Sequence, residues 1–295
     1  MKEKFIDINF KNESILMIEK INRILTEYRK LGYRLTLRQL YYQLVSRDII
    51  PNTDRSYKNI GRLVSDGRQA GMIDWEMIED RNRETVYPSH WKTPADILYS
   101  AARSFRIDKW ENQNYHIEVM VEKDALSGIL EPVCKKLDVR LTANKGYSSS
   151  SMMYEMGKRM DKAYYEDDKQ VVVIYLGDHD PSGIDMTRDI SDRLYLYSGN
   201  IDFKVERLAL NLDQIRLWNP PENPAKTTDS RFKAYKLEFG ESSWELDAVE
   251  PVTLAGLVES KINKYIDWNL WNEVETKESS MVGKLNDIAD EWESE

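Results

Sequence analysis

Apolar residues recur at three- and four-residue steps through positions 11–31: Ile15, Ile18, Ile21, Ile24 or Leu25, and Tyr28, with Gly32 directly after. That period predicts an amphipathic helix that stops at the glycine. Thr36 is placed to cap a second helix, LRQLYYQLVSR, and the turn residues Pro51-Asn52-Thr53-Asp54 lead into a third, from about 56 to 70. Three short helices followed by a small extended piece near Met72-Ile73-Asp74-Trp75 predict a winged helix-turn-helix.

The pattern then changes. Residues 86–114 carry one helical stretch, about 94–105, and no strand signal before His116. From there HIEVMVEK, VRLTAN, QVVVIYLGD and FKVERLAL read as strands. Between them ALSGILEPVCKKL, SSSMMYEMGKRMDKAYYE and the segment after Pro181 read as helices. Such alternation predicts an α/β unit with a parallel sheet covered on both faces, and in such sheets ligands bind beyond the carboxyl ends of the strands. The serine run 148–151 marks a helix start. Residues 211–261 are less regular, with a proline-rich connector at 219–226 and a helix from about 254. The expected division is 1–85, a helical linker 86–113, an α/β domain 114–265 and an acidic tail 266–295 whose tryptophans are packed.

Composition adds a contrast that the pattern does not show. The chain has 295 residues, enough for two domains, and a net charge of −9. Residues 29–71 nevertheless hold nine basic side chains against three acidic ones, a net of +6, while residues 267–295 hold nine acids against two lysines, a net of −7. Arg55, Lys58 and Arg62 fall at three- and four-residue spacing on the third helix, with Arg68 following, so a basic face is available to a phosphate backbone. The bland alternative is a solvated surface helix. Cys134 is the single cysteine, so no intramolecular disulfide forms and a reducing cytoplasm is expected; no apolar run reaches the ~18–20 residues of a bilayer span.

Carboxylates end two of the strands. Glu122 closes the first, Asp178 and Asp180 the third, and period-two alternation puts both aspartates on one side with His179 opposite. Three hard oxygen donors at one sheet edge suit Mg²⁺ or Mn²⁺. Gly183 permits a tight turn behind them. Otherwise the aspartates are strand-end and helix-capping acids.

A strand ending in VEK followed by one ending in Asp178-His-Asp-Pro-Ser-Gly183 resembles a Toprim domain, in the version found in the A subunit of topoisomerase VI and the meiotic double-strand-break protein. Thr36-Leu-Arg-Gln-Leu-Tyr-Tyr42 resembles the start of that family's winged-helix catalytic domain, whose second tyrosine is the nucleophile. The resemblance covers about residues 12–80 and 114–210, with a weaker echo in Trp244-Glu-Leu-Asp-Ala248. It implies Tyr42 as nucleophile and Glu122, Asp178 and Asp180 as ligands of Mg²⁺ (or Mn²⁺). It also implies a homodimer in which the tyrosine of one subunit meets the metal of the other.

On a helix Arg38 shares a face with Tyr42, so its guanidinium can sit beside the phenol and a scissile phosphate; positive charge there would favour the phenolate. Tyr41 takes a core role in this reading. Asp185 is a possible outer metal ligand, and Lys123, Lys226, Arg231 and Asp229 are possible phosphate contacts, with surface charge as the alternative. Cys134 reads as a buried small hydrophobe.

The expected activity is metal-dependent cleavage of double-stranded DNA through a phosphotyrosyl link. The alternatives are a hydrolytic Toprim nuclease that uses water in place of Tyr42, and a catalytically inactive DNA-binding protein of a mobile element. The first helix begins within about a dozen residues, leaving no place for the extension by which the family's A subunits engage an ATPase, so an ATPase partner is doubtful. In length the chain resembles the family's short stand-alone relatives.

Overall fold

The structure is a computed structural model that describes residues 2–79, 88–144 and 149–293. Helix α1 (Asn12–Lys30) turns Ile18, Ile21, Ile24, Leu25 and Tyr28 inward, with Ile15 only half-buried. Helix α2 (Leu37–Ser46) starts on a capping box: Gln39 N–H donates to the Thr36 hydroxyl, and Thr36 N–H donates to the Gln39 side chain at 2.7 Å. Helix α3 (Asp54–Gln69) is capped by Thr53. Leu40 and Leu44 of α2 and Ile60 and Val64 of α3 join the α1 residues in one apolar cluster.

Strand β1 (Leu35–Thr36) pairs in parallel with β2 (Ile78–Glu79). The extended piece thus lies just beyond the expected 72–75, after a 3₁₀ turn at Trp75–Met77. Residues 80–87, where a wing would continue, lie outside the described residues.

After α4 (Pro94–Ser104) come β3 (Tyr115–Val121), α5 (Ser127–Lys136), β4 (Arg140–Ala143), α6 (Ser150–Tyr165), β5 (Gln170–Leu176), α7 (Pro181–Tyr197) and β6 (Phe203–Ala209). Ser149 caps α6; Ser148 lies outside the described residues. The four strands form a parallel sheet in the order β4-β3-β5-β6. The unbroken apolar run of β5 serves both faces. Val172, Ile174 and Leu176 pack with α5, while Val171, Val173 and Tyr175 pack with Met153, Met156 and Met160 of α6 and Met186 and Ile190 of α7. Period two explains this, because each strand residue faces opposite to its neighbour.

The segment read as irregular is regular: α8 (Leu212–Trp218), β7 (Glu222–Pro224), α9 (Phe232–Phe239), β8 (Ser242–Trp244) and α10 (Pro251–Asn263). Strands β7 and β8 pair antiparallel, with α9 in the connection between them, a unit termed the hairpin. Proline at 224 conceals this short strand from a propensity reading. Helix α10 supplies Leu254, Val258 and Ile262 to the α5 face of the sheet.

The acidic tail is helix α11 (Trp268–Glu293), which lies against α4. Of its tryptophans only Trp271 is buried; Trp268 and Trp292 are exposed, which corrects the expectation that all are packed. Among the described residues no helix is long and apolar enough to cross a membrane.

The two units meet along α2. Tyr41, Tyr42 and Val45 pack on Ala248, in a 3₁₀ turn (Leu246–Ala248) that follows β8. Gln39 donates to the Ala125 carbonyl at 3.3 Å, and Tyr28 and Gln43 both reach Glu250. The tyrosine-bearing helix is thereby set over the carboxyl ends of β3 and β5.

Candidate active site

Glu122 and Asp178 follow directly on β3 and β5, whose parallel register places Val121 opposite Leu176. Glu122 Oε2 accepts from the Asp178 N–H at 2.8 Å. This approach needs Gly177, because a Cβ there would stand 2.7 Å from Glu122 Oε2 and 2.3 Å from the Tyr175 hydroxyl. Gly183 is constrained in the same way by the Asp178 carbonyl, which a Cβ would meet at 2.2 Å. Arg207 braces the loop from the other side, donating to the carbonyls of Asp178 at 2.6 Å and Gly183 at 2.8 Å.

Period two holds at the third strand end. The His179 ring turns away from the aspartates into an aromatic group of Tyr235, Phe239 and Trp244, and its Nδ1 lies 2.8 Å from the Tyr235 hydroxyl. Asp180 caps α7 through the Gly183 N–H at 2.6 Å and still raises the Glu122 pKa by repulsion. Asp180 is thus the cap of α7, as the bland reading of a strand-end, helix-capping acid has it.

Lys123 sits at the centre of this edge. Its ammonium is 2.7 Å from Asp178 Oδ2, 2.9 Å from Glu245 Oε2 and 3.4 Å from Asp247 Oδ2. Burial alone would lower its pKa, but the attraction of Asp178, Asp247 and Glu245 outweighs burial and raises it. Arg38 enters the same network from α2, pairing with Glu245 through Nη2 and with Asp247 through Nε. A line of alternating charge thus runs Arg38, Glu245, Lys123, Asp178.

Burial raises the carboxyl pKa values of Asp178 and Glu122; mutual repulsion adds to the effect at Asp178, and the Asp180 charge adds to it at Glu122. Asp247 is buried and raised for the first reason; its Oδ2 is held only by the long ion pairs to Lys123 and Arg38, and its Oδ1 takes no hydrogen bond. Among the described residues no group of three or more His, Cys, Asp or Glu side chains is set to hold a metal ion in this arrangement. The donor chemistry nevertheless fits a hard divalent cation: Asp178, Glu245 and Asp247 converge on Lys123, with Glu122 beside Asp178, and carboxylate oxygens are the ligands such a cation takes.

Tyr42 is buried beside Arg38, whose guanidinium carbon lies 5.7 Å from the ring centroid. A cleft of about 240 Å³ lined by Arg38, Tyr42, Asn52, Asn223 and Glu245 opens there. The electrostatics differ from the sequence expectation. Burial, followed by the Glu245 charge, pushes the phenol up to about 12, and Arg38 only partly offsets this. Tyr41 is a core residue as expected, packed edge-on to Tyr42 and Tyr57, and its hydroxyl reaches Asn52.

The remaining candidates separate. Arg55, Lys58 and Arg62 are exposed along α3. Arg68 is instead structural: it donates to the carbonyls of Trp75 at 3.0 Å and Ile78 at 2.6 Å, and its guanidinium lies over Trp75. Asp185 is held by Arg188 at 2.9 Å and Arg231 at 2.8 Å, which lower its pKa, so it faces guanidinium groups rather than the carboxylate edge. Arg231 also pairs with Asp229, and Lys226 is exposed. Cys134 is buried, and burial pushes its thiol up to about 12.

Sequence reasoning gave no role to Glu245 and Asp247, although their period-two spacing after β8 is the signal already used for Asp178 and Asp180. Lys123 was read only as a phosphate contact. Compared with known proteins, the chain matches no family model, and no curated protein or solved structure matches it at a significant level.

Proposed function

We propose that the protein is a DNA strand-cleaving transesterase built from a winged-helix-like unit and a Toprim-like sheet, with Tyr42 as nucleophile. One observation carries this reading. Helix α2 sets Tyr42 and Arg38 beside the sheet-end carboxylates of their own chain, where the resemblance implies those of a partner subunit, through a line of pairs Arg38–Glu245, Glu245–Lys123 and Lys123–Asp178. Parallel α/β sheets bind ligands at that edge.

In this reading Tyr42 Oη forms a bond to phosphorus as the bond to the departing sugar oxygen breaks. The phenol loses its proton and the departing oxygen takes one up, so the step involves no net oxidation. Arg38 engages carboxylates through Nη2 and Nε, which leaves Nη1 to hold a phosphate oxygen. Glu122, Asp178 and Asp180 would hold Mg²⁺ or Mn²⁺, which supplies positive charge to the phosphate oxygens when bound. One chain presents one tyrosine, and a double-strand break takes two, so a homodimer follows from the reading.

A hydrolytic nuclease is the second reading, and the phenol's rise to about 12 favours it. Purified protein with Mg²⁺ or Mn²⁺ and supercoiled plasmid, quenched in detergent, separates the two. Protein-linked DNA ends that disappear in Tyr42→Phe are the expected result. Free-ended breaks that survive Tyr42→Phe and vanish in Glu122→Ala establish hydrolysis, and tight duplex binding with no breaks establishes a binding protein.

A further inference from the structure

Three side chains outside the charge network form a chain of hydrogen bonds that ends beside Tyr42. Asn52 Nδ2 donates to the Glu222 carbonyl at 3.2 Å, and a carbonyl only accepts, which fixes the orientation of the Asn52 amide. The same nitrogen donates to Asn223 Oδ1 at 2.8 Å, and Asn52 Oδ1 accepts from the Tyr41 hydroxyl at 2.8 Å. Asn223, on hairpin strand β7, therefore has its oxygen committed and its own Nδ2 turned elsewhere. That nitrogen is buried and makes no hydrogen bond. It belongs to a residue lining the same cleft as Tyr42, Arg38 and Glu245.

An unpaired buried donor costs about 1–3 kcal/mol, so a site that keeps one gains when an acceptor arrives. The neutral phenol leaves this donor unused. The ionised oxygen is a stronger acceptor, and an amide lining the same cleft favours it, against the larger effects of burial and Glu245.

We propose that Asn223 is the hydrogen-bond donor to the Tyr42 oxygen as that oxygen takes on negative charge, held in orientation by Asn52 and, through Asn52, by Tyr41. The role of this donor in cleavage rests on the reading of Tyr42 as nucleophile; the contact itself does not. The Asn223 amide keeps its protons, and the phenolic proton leaves for solvent. The tyrosine pair then has divided duties, with Tyr41 orienting the donor and Tyr42 receiving it.

Asn223→Asp keeps the shape and the acceptor for Asn52 but exchanges the donor for a charged acceptor, and Asn223→Leu, which removes the donor without adding charge, is its control and should slow the same step. The expected result is an unchanged fold by circular dichroism and thermal melting, with a fall of about 100-fold in the single-turnover rate of forming protein-linked DNA ends. Asn52→Ala should lower that rate about tenfold by freeing the amide. A second readout needs no activity: with 3-fluorotyrosine at position 42, the fluorine resonance should titrate at higher pH in Asn223→Leu than in the parent.

An unchanged adduct rate in well-folded Asn223→Asp would overturn the proposal. If the wild type forms no adduct, the functional reading fails, and the fluorine titration decides the contact alone: a midpoint unmoved by Asn223→Leu rejects it, and an upward shift supports it.

Discussion

Arg55, Lys58 and Arg62 on α3 and Lys123 at the sheet edge carry the same formal charge under opposite conditions. The α3 residues are exposed, so their field extends into solvent until salt screens it. Lys123 is largely removed from water and is held by three carboxylates at 2.7–3.4 Å. The comparison also revises the basic segment at 29–71. Four of its nine cations are committed internally: Arg29 to Asp74, Arg38 to Glu245, Arg47 to Glu27, and Arg68 to backbone carbonyls. Net charge along a sequence therefore overstates what a partner meets; of the five remaining cations, all exposed, Arg55, Lys58 and Arg62 lie on α3, and Lys30 and Arg34 lie outside it.

The largest effect should come from the buried side of this comparison. Lys123→Met strips the central cation from Asp178, Glu245 and Asp247 and should lower stability on the order of 3 kcal/mol, measured by urea unfolding at neutral pH. A loss below about 1 kcal/mol would mean that the network behaves like surface pairs. Thr36→Ala comes next. It removes the capping hydroxyl of α2, and about 1 kcal/mol should be lost, because Gln39 N–H loses its acceptor while the Thr36 N–H keeps its bond to the Gln39 side chain. Since α2 carries Arg38 and Tyr42, the same variant should loosen the docking on Ala248, read as faster amide exchange at Tyr41 and Tyr42.

Legibility in the sequence followed the strength of the local signal. The three-four period of Ile18, Ile21 and Leu25 and the double-sided run of β5 are repeated many times over short stretches, so helices and strands appeared close to their observed limits. Glu122, Asp178 and Asp180 were legible because strand ends in a parallel sheet are forced to one edge. Lys123 was not assigned its role, since nothing local tells a lysine that it will be surrounded by acids from 55 and 122 residues away. Asn52 and Asn223 are 171 residues apart and join only after the hairpin folds over α2. The phenol's elevated pKa was hidden for the same reason: its main cause is burial against Ala248, a tertiary contact, whereas the helical Arg38–Tyr42 spacing that pointed the other way is local.

The smallest effect on stability tests the comparison most directly. Arg55→Gln, Lys58→Gln and Arg62→Gln combined should change unfolding free energy by less than about 0.5 kcal/mol, because exposed side chains away from buried networks contribute little to the fold. On duplex DNA the same variant should bind more weakly, and the slope of log affinity against log salt should become shallower by about 2 to 3, since each phosphate contact releases roughly one counterion. The matched control is Arg29→Gln with Arg47→Gln, which removes formal charge from the same segment but from residues paired to Asp74 and Glu27. Its salt slope should stay near that of the parent. Equal changes in the two slopes would show that segment charge, and not the exposed face of α3, sets the affinity.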